Sequence, residues 1–259
     1  MTIHTALVAE QSRVLRNLVT GPMKEAQAGK TTWEDLDEGT FARFAQFVYT
    51  GDYPPAPWEV VVVEPPEPEP PVRDEENEFA SSAEPPNWPA DPVEMPWGFE
   101  ISHKVSTKWK KGKRVYEPRS TFHQRVYPLP NFSKNMTDLC KPRPNESANE
   151  NYTPVFLGHA RLYVFAEKYG IEELKALTLH KLHSSLCVFS LYQERYKDIL
   201  ELLKYTYDNT PSRSPLDGLR ELVSQYISCE GKQVTTSEQC LSLVEEGGPL
   251  ARDLFLMMQ

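Results

Sequence analysis

The chain has 259 residues, 23 of them proline, with a mean hydropathy of −0.54 and a formal net charge of −9. That length suits one or two domains, and the negative charge disfavours a non-specific hold on nucleic acid. No apolar run is long enough to span a bilayer, and Met1-Thr2-Ile3-His4 opens no basic-then-apolar leader.

Residues 1–53 read as helices with one short strand. Ser12 is placed to cap a helix carrying Val14, Leu15, Leu18 and Val19, and Gly21 to end it. Thr31-Thr32-Trp33 is β-branched and aromatic and predicts a short strand. Asp37 predicts the cap of a second helix, with Phe41, Phe44, Ala45 and Val48 on one face.

From residue 54 the character changes. Residues 54–100 hold 13 prolines and 12 acidic residues against one basic residue, Arg73. From 101 to 125 the charge reverses, with Lys104, Lys108, Lys110, Lys111, Lys113, Arg114, Arg119 and Arg125 against Glu117. Such chain cannot bury enough apolar surface to offset its ordering entropy, so 54–151 is expected to be a disordered insert looping out of the core.

Helices return after Tyr152. The first is expected from Pro154 to Tyr169 with Gly170 as its stop, and the second from Ile171 to Cys187. Tyr192, Tyr196, Ile199, Leu203 and Tyr207 form a stripe that Pro211 ends. Ser214-Pro215 predicts the start of a helix that buries Leu219, Leu222, Val223, Tyr226 and Ile227. Two shorter helices are expected near 237–246 and 249–258.

These residues resemble the BTB/POZ family of interaction domains. Ile3-His4-x-x-Leu7-x-x-x-x-Ser12 is similar to the family's V-H-k-x-x-L-x-x-x-S pattern, and Gly21-x-Met23-Lys24-Glu25 to its G-x-f/m-x-E element. Phe41-x-x-Phe44-x-x-Phe47-Val48-Tyr49-Thr50-Gly51 resembles the family's core helix ending in Y-T-G. Beyond the insert, Arg161 to Lys175 looks like its helix pair, and fungal members share the stretch through His180-Lys181-Leu182 and a tail like Glu245-Glu246-Gly247-Gly248. The family's β-hairpin ahead of Ile3-His4 has no counterpart in this sequence, a gap that a shortened gene model would also produce. Because that hairpin supplies sheet pairing and homodimer contact in the family, both are left open here.

The resemblance implies an α+β fold, mainly α-helical, with a small residual sheet. Residues 1–53 and 152–187 would form a discontinuous BTB/POZ-like core, and 188–259 a C-terminal helical extension. It also implies an adaptor that binds protein partners, with a homodimer and a cullin scaffold of ubiquitin ligases among the candidates. In family members that recruit cullin, a hydrophobic-x-Glu sequence supplies an apolar anchor beside a carboxylate, which points to Met23 and Glu25. The competing reading packs Met23 locally and solvates Glu25.

Other motifs carry plainer readings. Phe41, Phe44, Phe47 and Tyr49 have the spacing of a core face, and His4 suits a structural bond at a helix start. His180, His183 and Cys187 share a helix face but lack a fourth spaced ligand, so no metal and no cofactor is expected. Asp35-Leu36-Asp37 lacks the continuation of a calcium loop. Lys108-Trp109-Lys110-Lys111-Gly112-Lys113-Arg114 reads as a nuclear import signal, as a phosphate-contacting patch with an aromatic for stacking on nucleic acid, or as a solvated basic linker. The first reading gives the alternative function, a nuclear or chromatin-associated regulator. No nucleotide-binding, metalloprotease or nucleophile-elbow signature is present, so an enzyme is not expected. Cys140, Cys187, Cys229 and Cys240 show no C-x-x-C spacing and read as free thiols of an intracellular protein, cytoplasmic or nuclear.

Overall fold

The computed structural model describes residues 2–22, 24–28, 30–33, 36–61, 118–129, 138–213, 215–235, 238–245 and 248–257. The chain divides into one unit of Met1–Val63 with Tyr116–Gln259 and a second unit, Glu64–Val115, which lies outside the described residues. The described fold is mainly helical, with a single two-stranded sheet.

Helices α1 (Thr5–Gln11) and α2 (Arg13–Thr20) meet at Ser12, whose hydroxyl accepts from the Leu15 N–H at 3.1 Å. A five-residue α3 (Lys24–Ala28) follows. At the start of α4 (Glu38–Thr50), the Asp37 carboxylate takes both the N–H and the hydroxyl of Thr40, at 2.9 and 2.6 Å. Gly51 ends α4 at φ 76°, a left-handed geometry that glycine adopts without a Cβ clash. Strand β1 (Glu59–Val60) pairs antiparallel with β2 (Glu150–Asn151), and the short α5 (Pro118–His123) lies between them in sequence.

The remaining helices are α6 (Thr153–Tyr169), α7 (Glu172–Val188), α8 (Tyr196–Asn209), α9 (Gly218–Thr235), α10 (Glu238–Glu245) and α11 (Pro249–Met257). Gly170, at φ 65°, closes α6, and the next N–H, of Ile171, reaches back to the Ala166 carbonyl at 2.9 Å.

Helix α6 is buried on two faces. Leu162, Phe165 and Ala166 join Leu15, Phe44 and Phe47 of α2 and α4 in one apolar cluster. Phe156, Ala160 and Tyr163 join residues of α5, α8, α9 and α11 in the other. Helix α7 is divided likewise, with Leu174 and Leu177 in the first cluster and Leu182 and Leu186 in the second. A helix apolar nearly all round is one packed on several sides.

Several expectations are corrected. Thr31-Thr32-Trp33 forms no strand; the Trp33 ring packs against Phe41, Phe44, Phe165 and Tyr169, and tertiary aromatic contact outweighs β propensity. The sheet instead joins Glu59–Val60 to Glu150–Asn151, both within the stretch expected to loop out. That stretch is partly packed, because Ala56, Phe122, Tyr127, Cys140 and Asn145 are buried. Helix α9 opens at Gly218 with Asp217 as its cap, the carboxylate accepting from Leu219 N–H at 2.9 Å, and Ser214 lies outside the described residues. Tyr192 precedes α8 rather than joining its stripe. The C-terminal helices, expected as an extension over 188–259, pack against α6 and α7 in a shared apolar cluster.

Phe44 and Phe165, from the two sequence-distant halves, lie 4.8 Å apart between ring centroids, and Phe44 is fully buried. Phe44→Ala should therefore cost about 3–5 kcal/mol of unfolding free energy in urea titration, the range for truncating a core aromatic. A loss below about 1 kcal/mol, the scale of a surface substitution, would show that this contact does not close the core.

Candidate partner-binding groove

An open groove of about 710 Å³ runs between the N-terminal segment, residues 30–33 with Leu36, and α4. Its apolar lining comes from Ile3, Val8, Val19, Trp33, Leu36 and Phe41, with Lys30 and Glu38 among its polar groups. Two bonds anchor its N-terminal rim. The His4 N–H donates to the Tyr49 hydroxyl at 3.1 Å, and the same hydroxyl lies 2.5 Å from His4 Nδ1. His4 thus bonds a side chain of α4 rather than nearby backbone.

Trp33 separates this groove from a smaller hollow of about 370 Å³, shared with Arg161, Val164 and Phe165 of α6 and with Tyr205 and Asn209 of α8. The Trp33 indole N–H has no acceptor among the described residues. Arg161 and Asp37 face each other there at 3.7 Å, and both are nearly half exposed, so the pair adds little stability.

The most polar buried cluster lies elsewhere. Lys181 of α7 is 4% exposed, and its ammonium donates to the Tyr53 carbonyl at 2.9 Å and the Cys140 carbonyl at 3.1 Å while pairing with Asp52 at 2.6 Å. All three ammonium protons thereby find acceptors. The Tyr53 hydroxyl bonds His159 Nδ1 at 2.9 Å, and burial, with Lys181 and Arg43 nearby, pushes the His159 imidazole down to about 3. The adjoining cavity is about 10 Å³, room for one water at most. The cluster is therefore built to hold chain segments together. Its trace in the sequence is a lysine on the otherwise weakly polar stripe Leu174, Thr178, Lys181, Ser185, which the periodicity reading passed over.

Of the residues singled out from sequence, Met23 lies outside the described residues. So does the Glu25 side chain, although its backbone belongs to α3. Lys108, Lys110, Lys111, Lys113 and Arg114 also lie outside them. Phe44 and Phe47 are buried and Tyr49 is half exposed, which matches a core face with one outward ring. His183 Nε2 bonds the Phe122 carbonyl at 2.7 Å and lies 3.4 Å from Cys187 Sγ. Burial pushes the Cys187 thiol up to about 11. Among the described residues no cluster of His, Cys, Asp and Glu is placed to hold a metal ion, and no helix is long and apolar enough to cross a membrane. Compared with protein-family models, curated proteins and solved structures, the chain finds no match.

The buried histidine gives the fold a pH dependence. His159 stays neutral in the folded state down to about pH 3, whereas in the unfolded chain it takes a proton below about 6.5. Its contribution is complete above pH 6.5 and is lost as pH falls toward 3, about 2 kcal/mol of it by pH 5. Urea titrations at pH 7 and pH 5 should show this loss in the wild type and a smaller one in His159→Gln. Equal losses in the two proteins would exclude His159 as the source.

Truncating the lysine is the harsher change. Lys181→Met leaves the Asp52 carboxylate, 13% exposed, without its cation, so stability should fall by about 3–5 kcal/mol. A melting temperature unchanged from wild type would mean that the cluster does not hold the fold.

Proposed function

We propose that this chain is an intracellular protein-interaction adaptor of the BTB/POZ kind, working by burial of complementary surface with no chemical step. The observation that carries the reading is the packing of Phe44 against Phe165 inside one apolar cluster built from both sides of the long insert. The resemblance spans those same two pieces, and a shared interior is what a single interrupted domain requires. The groove floored by Val8, Trp33 and Phe41 supports the interaction role, since it offers a concave apolar surface rimmed by polar groups.

Recruitment of a cullin scaffold is the specific version, through Met23 as apolar anchor and Glu25 as directional charge. Purified chain should bind a cullin amino-terminal domain in titration calorimetry, and the Met23→Ala, Glu25→Ala double variant should bind at least about tenfold more weakly. Equal binding by the two proteins, or none by either, removes the cullin role. Self-association is the companion version. Light scattering on the purified chain should then give the mass of a dimer, and a monomer at all concentrations removes it.

A further inference from the structure

The segment 118–127 is seated on the α7–α9 face as a peptide ligand would be. Phe122, next to the last residue of α5, is 2% exposed. Its ring lies 4.8 Å from His183 of α7 and 5.5 Å from Tyr226 of α9. The Phe122 carbonyl accepts from His183 Nε2 at 2.7 Å. Arginines three residues to either side reach carboxylates of α9: Arg119 pairs with Glu230 at 3.3 Å, and Arg125 with Glu221 at 3.1 Å. Arg125 also donates to the Gln225 side-chain carbonyl at 2.8 Å and lies 5.2 Å from the centre of the Tyr127 ring. Tyr127 makes a second anchor against His183, at 5.5 Å.

This is the anatomy of a short-motif interface, with a buried aromatic anchor, a second aromatic beside it and a rim of opposed charges. A helix of six residues is not stable by itself in water, so α5 takes its shape from the face that receives it. The ion pairs are partly exposed, with the Arg119 side chain at 65% and that of Glu221 at 45%, so they guide placement more than they add stability. Removal of the segment would open a slot walled by His183 and Tyr226 and rimmed by Glu221, Gln225 and Glu230.

We propose that the α7–α9 face is a peptide-binding site, held in cis by residues 118–127, whose partner is a short helical motif with an aromatic anchor flanked by arginines three residues before and after it. The partner and the internal segment compete for one slot. The tether raises the local concentration of the internal segment to about the millimolar range, so an external motif binds when that segment is displaced or weakened. The charge pattern on α9 excludes acidic motifs. The proposal stands apart from the adaptor reading, because it uses none of the residues of the N-terminal groove.

The test uses the full chain and a fluorescent synthetic peptide with the sequence of residues 118–129. The Phe122→Ala chain should bind this peptide at least about tenfold more tightly than the wild-type chain, whose slot is occupied. The same peptide carrying alanine at its phenylalanine should lose at least about tenfold in affinity for the Phe122→Ala chain. Adding Glu221→Lys and Glu230→Lys to that chain should also weaken binding of the unmodified peptide. An Arg119→Ala, Arg125→Ala chain, which keeps the anchor, should fall between wild type and Phe122→Ala. Equal binding by the wild-type and Phe122→Ala chains overturns the proposal, as does no binding by a Phe122→Ala chain that still unfolds cooperatively. If both variant chains lose the cooperative transition, the segment is an integral part of the core and the proposal also fails.

Discussion

The fold depends on one buried ammonium. Lys181 bridges the Tyr53 carbonyl, where the chain leaves α4, and the Cys140 carbonyl, where it comes back toward α6, while Asp52 balances its charge. Removing a charge from water is costly unless it is paired and fully hydrogen-bonded, and these three acceptors meet that condition together. The cluster therefore specifies one geometry, in which α4, the returning chain and α7 meet at a single point. The hydrogen bond from Tyr53 to His159 adds α6 to the same junction.

Around that junction α6 and α7 serve two apolar clusters at once. The first takes in α1, α2 and α4, and the second α5, α8, α9 and α11. Polar ties run between the same helices. The Asp217 cap of α9 accepts from the Tyr163 hydroxyl of α6 at 3.1 Å. Arg220 of α9 bonds Thr210 after α8 through its Nε at 2.8 Å and approaches Asp253 of α11 at 3.9 Å. Glu167 pairs with both Lys175 and Arg213, which ties α6 to α7 and to the turn before α9. The C-terminal helices are thus bound to the centre of the molecule by packing and by charge.

Two surfaces of different chemistry result. The N-terminal groove is open and largely apolar, with Trp33 as a wall between it and the hollow beside Arg161. The α7–α9 face is acidic at its rim and filled by an aromatic anchor from the same chain. An open apolar groove suits a partner recognised by shape, whereas an acidic face with a seated arginine-flanked phenylalanine suits one recognised by charge and a single anchor.

Much of the helical architecture was legible in the residues themselves. Ser12, Asp37, Gly51 and Gly170 mark helix ends through local bonding and left-handed backbone, and both act within a few residues of chain. Spacing alone assigned Phe44 and Phe47 to a buried face. What spacing could not supply was anything set by contact between distant segments. Trp33 left its expected strand for an aromatic cluster, Glu59–Val60 found its partner some ninety residues on, and Phe122 in a basic stretch became buried against His183 and Tyr226. Nothing in the spacing marked Lys181 as a buried charge. Only the folded chain brings Asp52 and two carbonyls from either side of the insert to its ammonium, because a charge is worth burying only where its counter-charge and acceptors are already in place.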